Sequence, residues 1–257
     1  MRRFLFLICE IQLRNNFHQK FGCAYYCGME NVSQFEDEQK PFIDAELAEN
    51  PEPRCPCLLL LDTSASMSGS PIAELNEALQ VFKNELNADS MTAKRVEVAV
   101  VTFGPVELVT DFVAANRFQP PHLQANGDTP LGKAVEVGIE LLKERKQRLR
   151  DNGIDLYRPW IFLITDGEPT DDWRSVRQSI QEGEEHKSFL FFALGVNKAK
   201  FDILQQISIR EPLRLRGIEF RPLFRWLSDS LKAVSYSTPG DRVGLPDYKP
   251  YGWADVD

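Results

Sequence analysis

The sequence lacks several features that would assign it quickly. No apolar run approaches the ~20 residues a membrane-spanning helix needs, which argues against a membrane partner. There is no excess of positive charge either: 30 basic against 38 acidic residues give a net charge of −8. A nucleic-acid partner is therefore not expected. The densest basic cluster, Lys143 to Arg150, falls at the end of a predicted helix, where cations suit the dipole and a solvated face is the plain reading. Five cysteines are an odd number, which fits unpaired, reduced thiols better than a disulfide framework. Neither a Gly-x-x-x-x-Gly-Lys-Ser/Thr phosphate loop nor a Gly-x-Ser-x-Gly nucleophile elbow occurs. What is present is 43% hydrophobic and 26% charged residues, enough for a real core in a globular protein.

The N-terminus invites a signal-peptide reading, since Met1-Arg2-Arg3 is followed by an apolar run to Cys9. That run breaks at Glu10, and no small-x-small cleavage site follows before Arg14-Asn15-Asn16, so a cytoplasmic protein is expected instead. Residues 1–28 show neither helical nor strand periodicity, and Met29 offers an alternative start, which would make them a non-native or disordered extension. His18, Cys23, Cys27, Cys55 and Cys57 are the zinc candidates. Cys-x-x-x-Cys followed by Cys-Pro-Cys is not a standard zinc spacing, which favours unpaired, reduced thiols. Residues 29–54 are acidic and punctuated by proline, an extended lead-in rather than a domain.

Beyond this the chain alternates strands with helices. Leu58 to Leu61 are four leucines in succession, as a strand buried on both faces requires. Ile72, Leu75, Leu79, Phe82 and Leu86 recur at helical spacing after Ser70, a candidate cap, and Pro71. Val96 to Phe103 and Val106 to Val113 read as a hairpin across Gly104-Pro105 that places an antiparallel strand at the sheet edge. Further expectations are a helix from Leu131, strands at Trp160–Thr165 and Ser188–Val196, and a helix over 171–187 between them. A short helix near 200–207, a strand at 215–220, a last helix over 222–236 and an irregular tail over 237–257 complete the reading. This order predicts an α/β fold: a doubly wound, mostly parallel sheet with one antiparallel edge strand and helices on both faces.

Candidate chemistry lies at the ends of the apolar strands. Asp62, Ser64 and Ser66 alternate beyond the first, so in an extended loop they face one side as a possible hard-cation cradle. Thr129, in Gly-Asp-Thr-Pro, has the plain reading of a helix cap. A second apolar strand ends in Asp166-Gly167, however, and two such carboxylates plus this turn exceed what capping needs.

Together, Asp62-x-Ser64-x-Ser66, Thr129 and Asp166-Gly167 resemble the metal-ion-dependent adhesion site of the von Willebrand factor type A family, in order and spacing, over roughly residues 55–236. Asn50 to Cys57, Asp128 to Gly132 and Ile164 to Thr170 are similar to its bacterial TerY-like branch, associated with tellurite resistance and stress-response gene clusters. The resemblance implies Mg²⁺, with Mn²⁺ or Ca²⁺ as substitutes, held by Asp62, Ser64, Ser66, Thr129 and Asp166. It also implies a partner protein that offers a Glu or Asp to the metal. The alternative is a metal-dependent phosphohydrolase using Asp62 as nucleophile. Ser64 stands where that chemistry needs a general acid, and His122 reads as a loop residue rather than a base, so no enzyme is expected.

Overall fold

The computed structural model describes residues 47–255. The expectations for residues 1–28 and most of the lead-in, including His18, Cys23 and Cys27, lie outside that range. The strands are β1 (Cys55–Asp62), β2 (Val96–Phe103), β3 (Glu107–Ala114), β4 (Trp160–Thr165), β5 (Leu190–Gly195), β6 (Leu213–Leu215) and β7 (Ala254–Asp255). The helices are α1 (Ser70–Asn87), α2 (Ser90–Arg95), α3 (Leu131–Asp151), α4 (Arg174–Glu185), α5 (Phe201–Ile207) and α6 (Phe220–Ser235).

The sheet runs in the order β3-β2-β1-β4-β5-β6-β7. Parallel pairing joins β2, β1, β4, β5 and β6, and β3 is antiparallel at one edge, as its hairpin predicts. This is the α/β arrangement expected, with a two-residue antiparallel strand, β7, added at the other edge by the tail. Successive residues of β1 face opposite sides of the sheet. Cys55, Cys57, Leu59 and Leu61 therefore join the core under α1 and α6, while Leu58 and Leu60 join the one under α3, α4 and α5. All of them are buried, so the leucine run is apolar throughout because both faces are covered.

Cys55 and Cys57 are free thiols inside this strand. Burial, then the Glu97 carboxylate, pushes Cys55 up to about 12, and burial, then Cys55, pushes Cys57 up too. Both stay protonated, which suits packing and not metal ligation.

Several local expectations shift. Gly69, not Ser70, takes the cap position of α1, with φ 84, and Ser70 makes no side-chain cap. β6 ends at Leu215 rather than continuing to Phe220: Gly217, at φ 57, turns the chain, and Phe220 opens α6 as a core residue. The tail is largely without regular structure but firmly packed. Trp253 is fully buried against Trp226 and Tyr248, and Tyr251 donates to Asp229 at 2.5 Å. The basic cluster Lys143 to Arg150 is not wholly solvated, because Arg145 turns inward to Glu97.

Helix α2, with only six residues, is too short to show a helical period in the sequence. Asp89 caps it, accepting from Thr92 N at 2.8 Å and Thr92 Oγ1 at 2.7 Å, and also from Tyr236 Oη at 2.6 Å just past the end of α6. The Tyr236 hydroxyl and then the Thr92 donors hold the Asp89 carboxyl down at about 2. The folded value lies below the ~3.9 of an unfolded chain. Asp89 therefore adds stability that is fully present above about pH 3.9 and is lost as pH falls through about 2. Carboxyl NMR should report an Asp89 midpoint near 2. In Tyr236→Phe it should move back toward the unfolded value.

Candidate functional site

Asp62 and Thr165 are the last residues of β1 and β4, adjacent strands in the middle of the sheet, so their loops open at the same carboxyl edge. In open α/β sheets that edge is where ligands bind. Beyond β1, Ser64 begins a short 3₁₀ turn, Ala65–Met67, instead of the fully extended loop expected. The turn still brings Ser64 Oγ and Ser66 Oγ to 3.0 Å, and Ser66 Oγ donates to Asp166 Oδ1 at 2.5 Å. Asp62 accepts from Ser64 N at 2.8 Å through Oδ1 and from Thr165 Oγ1 at 2.5 Å through Oδ2. Thr129 does not act as a helix cap. A Cβ added at Gly167 would sit 3.1 Å from Thr129 Oγ1 and 3.7 Å from Asp62 Oδ2, so both oxygens crowd that glycine. Asp62, Ser64, Ser66, Thr129 and Asp166 are thus gathered at one edge, with Ser66 exposed and the other four buried.

Burial is the main influence on Asp62 and raises its pKa. Hydrogen bonds from Ser64 and Thr165 oppose that rise, and the Asp166 charge adds to it. The pocket therefore holds one carboxylate at a desolvation cost beside a second, an arrangement that a cation would relieve.

Residues outside the sequence motif build this geometry. Gly104 opens the turn after β2 with φ 147, and a Cβ there would lie 2.6 Å from Ser64 N and 2.7 Å from both Asn126 O and Thr63 C. Only a residue without a side chain lets the three loops touch, and Asn126 N to Thr63 O (2.6 Å) and Ala65 N to Gly127 O (3.0 Å) then tie them together. Asp171, expected inside a helix, lies ahead of α4 and caps α3 across the site: its carboxylate accepts from Gly132 N at 2.9 Å and Lys133 N at 2.7 Å. Thr170 adds Thr129 N to Thr170 Oγ1 at 3.1 Å and Thr170 N to Thr129 O at 2.9 Å. Asp171→Ala should cost about 1–2 kcal/mol, as lost helix caps do. It should also loosen Thr129, so a melting curve and a divalent-cation titration should both shift. His122, by contrast, is exposed in the segment ahead of Thr129.

The oxygens fit a small hard cation. Octahedral ligands at ~2.1 Å are separated by roughly 3.0 Å along each edge. The Ser64–Ser66 spacing matches that edge, the Ser66–Asp166 spacing is somewhat shorter, and two carboxylates balance a dication. Among the described residues no cluster of three or more His, Cys, Asp or Glu side chains forms an alternative metal site.

The sequence profile of the von Willebrand factor type A domain matches residues 58–214, which span β1 through β6 and include all five residues of the cluster. The chain belongs to the von Willebrand factor type A family. Type A domains commonly mediate protein–protein interaction or adhesion, are typically not enzymes, and often bind a divalent metal. The pilus adhesin SpaC from Lactobacillus rhamnosus GG, in its open conformation, is similar in fold, with TM-score 0.56 and 13% identity over 71% of this chain and 30% of that one. Proximal thread matrix protein 1 from the mussel byssus gives TM-score 0.50 and 15% identity over 70% of this chain and 48% of that one. The chain thus spans about half or less of the length of these two proteins. No curated protein matches the sequence. Among the described residues no helix is long and apolar enough to cross a membrane.

Proposed function

We propose that this type A domain is a divalent-cation-dependent protein-interaction module, an adaptor or scaffold that captures an acidic residue of a partner protein. Asp62, Ser64, Ser66, Thr129 and Asp166 would hold the ion, Mg²⁺ by the hardness of the donors, with Mn²⁺ or Ca²⁺ able to substitute. When bound, the ion supplies a coordination position for a carboxylate oxygen. The observation that carries this reading is the run of oxygens from Ser64 through Ser66 to Asp166 at 3.0 and 2.5 Å, with its one exposed member facing outward. The surrounding chain holds these ligands in place: the Thr165 hydroxyl and the Ser64 backbone N–H fix the Asp62 carboxylate, and Asp171 holds the turn that carries Thr129. Similarity of Asp128 to Gly132 and Ile164 to Thr170 to the TerY-like branch supports a cytoplasmic place in a bacterial stress or tellurite-resistance pathway.

No phosphohydrolase reading is favoured, because Ser64 Oγ pairs with Ser66 and offers no acid beside Asp62. The test is a pull-down with and without EDTA, read by mass spectrometry and repeated with Asp62→Ala. Partners carrying acidic motifs should be retained only by the wild-type domain in the presence of the cation. Full retention in EDTA, or by Asp62→Ala, would contradict the proposal.

A further inference from the structure

A cavity of about 730 Å³ opens at the opposite end of the sheet from the hydroxyl–carboxylate cluster. It lies between the first residues of β4 and β5, the ends of α3 and α6, and the tail. Its volume is that of a small-ligand site. The apolar part of the wall is formed by the half-buried side chains of Leu190, Phe192, Val243 and Leu245.

The polar lining has one dominant sign. Six cationic side chains line the cavity, against one acid, Asp241. Asp241 already accepts from Thr238 N at 3.1 Å. Glu184, behind the wall, pairs with Arg158 at 2.7 Å and Arg210 at 2.8 Å. Lys146 spends its ammonium on Ser188 O at 2.9 Å, and burial, then the neighbouring Arg150, lowers its pKa. Arg150, Lys187 and Arg242 are exposed and make no ion pair among the described residues.

Three uncompensated cations around an apolar hollow are unusual on a chain of net charge −8. Their mutual repulsion is relieved by an anion that enters the hollow, and the apolar walls reward one with a hydrophobic body.

We propose that this cavity binds a small organic anion, with its aromatic or aliphatic body against Leu190 and Phe192 and its anionic head toward Arg150, Lys187 and Arg242. An inorganic anion would leave the walls unsatisfied, and a neutral aromatic would leave the cations unpaired. The cavity is separate from the carboxyl edge of the sheet, so its occupancy does not require the divalent cation.

The probe is 8-anilinonaphthalene-1-sulfonate, titrated by fluorescence into the whole protein in EDTA, with 2-naphthoate, 2-naphthol and inorganic phosphate as competitors. One saturable site is expected, displaced by naphthoate and at least tenfold less well by naphthol or phosphate. Reversing two exposed rim charges, Arg150→Glu with Arg242→Glu, should weaken binding tenfold or more. The same change in net charge made elsewhere, Lys94→Glu with Arg177→Glu, should leave it within about twofold. Val243→Trp keeps every charge and fills the hollow, so it should also lose the probe, independently of how the charge reversals affect folding. No saturable binding, equal competition by naphthol or phosphate, or wild-type affinity in both the rim and the Val243→Trp variants would overturn the proposal.

Discussion

Glu97→Ala is expected to destabilise the domain by about 3–5 kcal/mol, the typical cost of removing one partner from a buried ion pair. Glu97 is the second residue of β2, fully buried, and lies between two guanidinium groups. Arg145 reaches it with Nε at 2.9 Å and Nη2 at 2.5 Å, and Arg54 with Nε at 3.1 Å. Arg54 is 1% exposed and Arg145 7% exposed, so neither can turn to water when the carboxylate is gone. Arg54 also donates to the carbonyls of Asn50 and Glu52, which fastens the segment ahead of β1 to the sheet. Thermal denaturation should show a melting point lower by roughly 10 °C for a domain of this size. Replacing the three residues together, with Arg54→Met, Glu97→Leu and Arg145→Met, should recover most of that loss, because it removes both the attraction and the desolvation cost. A Glu97→Ala melting point within ~2 °C of wild type would show that water reaches these groups.

Saturating Mg²⁺ should raise the stability of the wild-type domain by about 2.7 kcal/mol at one hundred times the dissociation constant. It should do nothing for Asp62→Asn. Asp62 already carries a cost, since burial and then Asp166 disfavour its charge while the Ser64 and Thr165 donors only partly offset this. A carboxamide has nearly the same shape and keeps an oxygen for the Ser64 N–H, so the metal-free variant should melt within a few degrees of wild type. What it lacks is the charge that a dication needs. The pair of results, unchanged metal-free stability with lost cation response, separates a binding defect from a folding defect. Equal stabilisation of both proteins by Mg²⁺ would place the ion elsewhere.

The parts of the fold legible in the sequence were those with local causes. Leu58 to Leu61 had to be a central strand because no half-exposed position tolerates four leucines in succession, and β4 repeats that logic. The residues at the strand ends stood out because hydroxyls and carboxylates are rare neighbours of such runs. Long-range partnerships were not legible. Thr165 reads as the last residue of an apolar strand, yet its hydroxyl fixes Asp62 across the strand pair. Asp171 reads as the start of one helix and caps another. Arg145 sits among basic residues that suit a solvated helix end, and only packing reveals that Glu97 is opposite it. Gly104 reads as half of a turn, although the contact it permits is with two other loops. In each case the deciding partners lie roughly twenty to one hundred residues away, where periodicity and propensity carry no information.

The most direct test of the proposed cation site is a crystal grown with Mn²⁺ and examined by anomalous scattering. One strong peak is expected at the carboxyl edge of the sheet, bonded to Ser64 Oγ and Ser66 Oγ and enclosed by Asp62, Thr129 and Asp166. A Mn²⁺-soaked crystal with no peak there, or with its only peak at a different part of the surface, would contradict it.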